Sequence, residues 1–319
     1  MAPKYFHDYQ WSNIAAMIRN NRRDPAICPD DFVNRLVVIT GATSGIGRLT
    51  ARKFASRGAD LLCINRSEEK SAALKEEIEG EFGVRCDSFR ADLSCLEDAR
   101  RVAEELTRIE RPIDVLIHNA GVHLTRQERS AEGYDKVFVV HHLSPFVINA
   151  RLASKLKAQE QARILLVSSE GHRFAAWGLY LEDLNWDRRR YSGLKSYGSA
   201  KLAQLLAMLV FEEYFRGSGV RINAMHPGAV RSETGKENGV VYRWFKRNLF
   251  DRMLRPTDIA AESLYYLAVS PEPKDVSGKF FNLTTLEEPA PPAWDREAAR
   301  ALWAKSLEMT GEEDIMETP

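Results

Sequence analysis

The sequence carries no charge excess: 45 lysines and arginines meet 45 aspartates and glutamates, for a formal net charge of +0. Such a balance gives no global attraction to nucleic acid or to an anionic surface. Cysteine is scarce. Cys28, Cys63, Cys86 and Cys95 form no Cys-x-x-Cys pair, so buried thiols in a reducing cytosol are the expectation, without a metal site. No apolar run approaches the ~20 residues of a membrane span. The opening Met-Ala-Pro-Lys-Tyr-Phe-His-Asp lacks the basic-then-apolar layout of a signal peptide. Repeats and low-complexity stretches are also missing. These absences predict a cytoplasmic protein with no nucleic-acid partner and no membrane span.

What is present is an alternation of two periods. Apolar, β-branched runs at Leu36–Ile39, Leu61–Ile64, Val84–Phe89, Ile113–Ile117, Ile164–Val167, Val220–Met225 and Lys279–Phe281 read as strands. Helical patterns lie between them: after Leu49, over 67–79, 94–109, 131–157, 197–215 and 257–269. Ser94 followed by Glu97 has the spacing of a capping box. Ser144-Pro145 falls inside the long fourth helix and is expected to disturb it. This order predicts an α/β fold, a doubly wound parallel sheet with helices on both faces. Residues 1–34 precede it as an extension. There Trp11, Ile14, Ala15 and Ile18 fall at helical spacing, a stripe for the chain's own core, a subunit contact or a lid. Residues 286–319 follow as a further helix, 295–308, and an acidic tail.

In a doubly wound sheet ligands bind beyond the carboxyl ends of the strands. The first strand runs into Thr40-Gly41-Ala42-Thr43-Ser44-Gly45-Ile46-Gly47. Glycines there let the backbone approach a pyrophosphate, and free N–H groups at the helix start attract its charge. The second strand ends in Asn65-Arg66, without the acid that would hold the ribose hydroxyls of NAD. Arg66 is either a surface arginine or a planar fork for a 2′-phosphate, and the latter makes NADPH the expected cofactor, with NAD second. Asp92 and Leu93 follow the third strand, where an aspartate can meet an adenine edge or merely close a turn. Asn119-Ala120-Gly121 follows the fourth and admits a cofactor close to the backbone.

The fifth strand ends in Ser168-Ser169, and the next helix opens with Tyr197 and, four residues on, Lys201. That spacing puts both on one helix face. An ammonium beside a phenol favours phenolate, so Tyr197 is expected to titrate below its ordinary value and to exchange a proton with substrate. Ser169 is expected to hydrogen-bond the substrate oxygen.

In this order the motifs resemble those of the short-chain dehydrogenase/reductase family over about residues 35–285. The resemblance is strongest to its retinol-dehydrogenase-like branch through His226-Pro227-Gly228-Ala229-Val230-Arg231-Ser232, Asp183-Leu184 and Ser277-Gly278-Lys279-Phe280. It implies a Rossmann-type fold and hydride transfer between a nicotinamide cofactor and an alcohol or carbonyl. It also implies that Lys201 holds the nicotinamide ribose and that Pro227, Gly228 and Val230 border the nicotinamide. Homodimer or homotetramer formation through the 131–157 and 197–215 helices is implied in the same way. One departure stands out. Val140-His141-His142-Leu143 places His141 where the family carries an asparagine thought to hold a water beside the lysine. A relay with added pH sensitivity, a weakened enzyme and a structural histidine are the three readings, and a cofactor-binding regulatory or scaffold protein is the rival function. Two aromatic-rich segments, 172–194 and 232–254, are candidates to cover a hydrophobic carbonyl or alcohol substrate.

Overall fold

The computed structural model describes residues 4–228 and 256–317. Eight strands join in the order β3-β2-β1-β4-β5-β6-β7-β8. They are β1 (Leu36–Thr40), β2 (Asp60–Asn65), β3 (Cys86–Arg90), β4 (Val115–His118), β5 (Ala162–Val167), β6 (Val220–His226), β7 (Phe280–Asn282) and β8 (Thr285–Leu286). Pairing is parallel until β7 meets β8 antiparallel. The seven expected strands are all there; β8 is too short for periodicity to register.

The alternation along β1 divides the core. Leu36 and Val38 join the apolar cluster under α4 (Leu96–Arg108), α6 (Ser144–Lys157) and α7 (Gly193–Phe215). Val37 and Ile39 join the one under α2 (Gly45–Ala55), α3 (Glu68–Phe82) and α8 (Asp258–Val269). A strand buried on both faces reads as a near-continuous apolar run. The order reverses between β1 and β4, which opens a crevice at the carboxyl ends of both strands.

Three local expectations are corrected. The residue capping α4 is Cys95, with no side-chain bond. Ser94 instead donates to Asp92 Oδ1 through both N and Oγ, and Glu132 Oε1 accepts from the Leu96 N–H at 2.7 Å. The run assigned to one helix over 131–157 is α5 (Lys136–Phe138), a π-helical turn (Val139–Leu143) and α6. Pro145 has no N–H to offer His141, and the Ser144 N–H reaches back five residues to the Val139 carbonyl. The third concerns α1 (Trp11–Asn20). The helix forms, yet Ala15 and Ile18 of its stripe are exposed; the side chains at 11 and 14 lie outside the described set. An amide at its end makes a contact that the spacing does not announce: Asn20 Nδ2 donates to Glu287 Oε2 at 2.8 Å.

At the other end, α9 (Arg296–Thr310) is capped by Asp295, which accepts from the Ala298 N–H, and ends at Gly311 with φ 67°. It lies against α7, with Trp303 between Phe146 and Phe211 at ring separations of 4.8 and 4.9 Å. All four cysteines are free thiols, three of them buried. Among the described residues no helix is long and apolar enough to cross a membrane.

Candidate active site

The β1–α2 turn is built around contacts that leave no space for side chains. Gly41 has φ 71° and Gly45 φ 54°, the left-handed region in which glycine is unstrained. A Cβ at Gly47 would stand 2.2 Å from the Gly41 carbonyl oxygen and 2.4 Å from Asn119 Nδ2. Asn119 is the clamp: its Nδ2 donates to the carbonyls of Thr40 and Gly41, both at 3.0 Å. Asn65 holds the turn from the other side by accepting from the Ala42 N–H at 2.8 Å. The Ser44 side chain makes no capping bond, so the first N–H groups of α2 stay available at the mouth of the crevice.

The crevice is a cleft of about 650 Å³. The candidate catalytic residues His141, Ser169, Tyr197 and Lys201 border it, as do the candidate cofactor-binding residues Gly41, Thr43–Gly47, Arg66, Asp92, Leu93, the 119–121 run, Pro227 and Gly228. Val230 and the whole 232–254 segment lie outside the described residues. The 172–194 segment does not border the cleft. Phe174, Trp177 and Tyr180 are about half exposed, while Trp186 is buried, with the Arg189 guanidinium 4.3 Å from its ring centroid.

The reacting end is assembled by β5 and α7. Ser169 leaves β5 as the cap of a 3-10 turn, its Oγ accepting from the Gly171 N–H at 3.0 Å. A Cβ at Gly171 would strike the Tyr197 ring at 2.6 Å, so the turn packs directly on the phenol. Lys201, 3% exposed, donates from Nζ to the Val167 carbonyl at 2.6 Å and to Gln204 Oε1 at 3.4 Å. Its Nζ lies 5.9 Å from the Tyr197 ring centroid.

These environments correct the expected titration. Burial pushes the Tyr197 phenol above its ordinary value, opposed by a polar interaction with Ser169. Burial also draws the Lys201 ammonium down to about 7, which weakens the charge that was to favour phenolate. His141 is corrected likewise. Burial and the Lys201 charge hold its imidazole well below the ordinary range, so it stays neutral near pH 7 and adds no pH sensitivity there. Its Nε2 bonds the Val122 backbone, 2.8 Å from the carbonyl, and its ring stands edge-on to Tyr197 at 5.3 Å. Among the described residues its Nδ1 is buried without a partner, as are Ser168 Oγ and His226 Nδ1 at the cleft wall. Polar atoms left open around a glycine cradle are the setting a bound nucleotide would complete.

Sequence reasoning missed Asn65 as a structural clamp and missed Lys70, His123 and Lys136, which also border the cleft. Lys70 was recoverable: it stands in the first turn of α3, four residues after Arg66.

A doubly wound sheet with a glycine cradle at its reversal, and a tyrosine, lysine and serine beside that cradle, defines a pyridine-nucleotide oxidoreductase of the Rossmann class. Comparison with known proteins narrows this. Residues 35–180 match the family model described as short chain dehydrogenase. Retinol dehydrogenase 13 of Homo sapiens is 35% identical over 304 residues, covering 93% of this chain and 91% of that protein. Polyprenol dehydrogenase of Mus musculus is 30% identical, with 94% and 90% covered. A crystal structure of an uncharacterized protein from Mycobacterium paratuberculosis is similar with a TM-score of 0.71 at 30% identity, covering 89% of this chain and 96% of that one. The chain belongs to the short-chain dehydrogenase/reductase family, on its retinol-dehydrogenase-like branch.

Proposed function

We propose that the protein is an NADPH-preferring dehydrogenase/reductase of hydrophobic carbonyl or alcohol compounds, with Tyr197 as the general acid/base. The convergence of Ser169, Tyr197 and Lys201 at one end of the glycine-cradled cleft carries this reading. The bound cofactor supplies or accepts the hydride. The Gly41–Gly47 turn and the open N–H groups of α2 would hold its pyrophosphate, with Asp92 and Leu93 toward the adenine, Asn119, Ala120, Gly121, Pro227 and Gly228 toward the nicotinamide half, and Lys201 at the ribose; Val230, outside the described residues, is assigned to the nicotinamide by the family resemblance alone. Ser169 orients the substrate oxygen while Tyr197 gives or takes its proton.

The cofactor preference rests on the end of β2, where Arg66 and Lys70 border the cleft and Asn65, in place of an acid, is occupied with the turn. Arg66 and Lys70 suit a 2′-phosphate. The substrate class is supported by two relatives named for the hydrophobic alcohols retinol and polyprenol. The free thiols suit the cytoplasm as the place of work.

Tyr197→Phe is expected to lower kcat by about 10²–10⁴, the range of general acid/base catalysis, with NADPH Kd within a few fold. Unchanged turnover would remove Tyr197 from the chemistry. Arg66→Ala should weaken NADPH by roughly 10-fold or more, as loss of a charge-assisted hydrogen bond does, and NADH hardly at all. Equal losses would overturn the preference.

A further inference from the structure

The 3-10 turn after Ser169, Glu170–Ala175, contributes its far side to a polar cluster that the proposed chemistry does not use. The Glu170 side chain is 16% exposed and that of Glu287, just past β8, 1%. Arg173 bridges them. Its Nε donates to Glu170 Oε2 in a close pair, and its Nη2 donates to Glu287 Oε1 at 3.5 Å and to the Glu288 carbonyl at 3.0 Å. Glu287 Oε2 is the far anchor, accepting from Asn20 of α1 at 2.8 Å and from Asn282 at 3.2 Å. Asn282 Nδ2 also donates to Asn21 Oδ1 at 3.0 Å. Glu170 Oε1, in contrast, is buried without a hydrogen-bond partner among the described residues.

An orphaned carboxyl oxygen near a second carboxyl is satisfied when one of the two carries a proton. We propose that Glu287, Arg173 and Glu170 form a buried strut carrying the seating of α1 to the Ser169 turn, with Glu170 holding a proton and all three acting as positioning residues for the serine hydroxyl. The proposal rests on the assignment of Ser169 and Tyr197 above.

Burial first, and the neighbouring Glu287 carboxyl next, lift the Glu170 carboxyl to about 8, against the pull of Arg173. The other titratable groups around the strut do not change charge near neutrality. His172 donates from Nδ1 to the Ser169 carbonyl at 2.8 Å and accepts at Nε2 from the Ala290 N–H at 2.9 Å. Burial holds its imidazole, and that of His226, at about 3. The Tyr9 phenol is raised by burial. Glu170 is therefore the group whose ionisation reaches the strut. A carboxyl raised in the folded chain keeps a proton that the unfolded chain releases above its ordinary 4.5. The fold thus loses stability as pH rises from that value to about 8. Once Glu170 ionises, two carboxylates face each other across one guanidinium, and the strut loosens.

The test uses the full chain and two variants, Glu170→Gln and Asn20→Ala. Hydrogen exchange, corrected for the intrinsic rate, is followed at pH 6.5 and 9. In the wild type the amides of 11–20 and 170–175 are expected to gain exposure together at pH 9, by about tenfold. In Glu170→Gln, which cannot ionise, they are not. The Tm of Glu170→Gln relative to wild type should climb from pH 5 to 9, and its kcat should fall less steeply at alkaline pH. Asn20→Ala should speed exchange at 170–175 as well as in α1. Exchange confined to α1 in Asn20→Ala, or the same pH dependence of exchange and Tm in wild type and Glu170→Gln, would overturn the strut. Absence of turnover on every substrate would count against the proposed function alone, since exchange and melting are read without it.

Discussion

Gly121 and His141 divide a space with room for one side chain. A Cβ at Gly121 would stand 2.6 Å from His141 Cε1, and the buried ring is held by its bond to Val122. Gly121→Ala is therefore expected to destabilise the fold by about 1–3 kcal/mol, as overpacking of a core does. In a His141→Ala background the same substitution should become close to neutral. A double-mutant cycle by urea unfolding reads the coupling, and additive losses would refute it. Nothing in the sequence couples these positions. The motif identifies Gly121 and the departure identifies His141, but the contact spans twenty residues and depends on the π turn. The titration of Tyr197 and Lys201 was misjudged for a similar reason. Residue spacing reports that two groups share a helix face, whereas burial, which here dominates both, is set by the surrounding elements.

The π turn is the element that places His141. Pro145→Ala supplies the N–H that the His141 carbonyl lacks and lets the turn close into α-helix. The chain should then hold its stability or gain some, while kcat falls by about tenfold or more as the ring moves from its place beside Tyr197. Melting and steady-state kinetics on one preparation check both halves, and unchanged kcat would show that the widened turn has no bearing on the site. The elements that position the cleft were legible because they obey local rules. Strands buried on both faces read as apolar runs, and the glycine turn and the 197–201 pair sit at recognisable offsets. The elements that failed are satisfied from a distance. Glu132 serves the α4 N-terminus in place of a capping box. Asn20 anchors the end of α1 on Glu287, far along the chain. Neither partner is within reach of a sequence window.

At the scale of the molecule, α9 packs on the two helices through which the family resemblance implies assembly. It covers α7 and reaches α6, with Trp303 against Phe146 and Phe211, His142 Nε2 bonded to Ser306 Oγ at 2.7 Å, and Glu312 joined to Arg100 and Arg151. Assembly through the parts of those two helices that α9 covers would require α9 to leave. Removing residues 296–319 should expose Phe146 and Phe211 and drive association or precipitation, measurable by light scattering. The intact chain completes this part of its core with its own tail, so folding there is a unimolecular event. Its Tm should hold constant over a hundredfold dilution, where a core finished by a neighbour would melt earlier as the neighbours thin out.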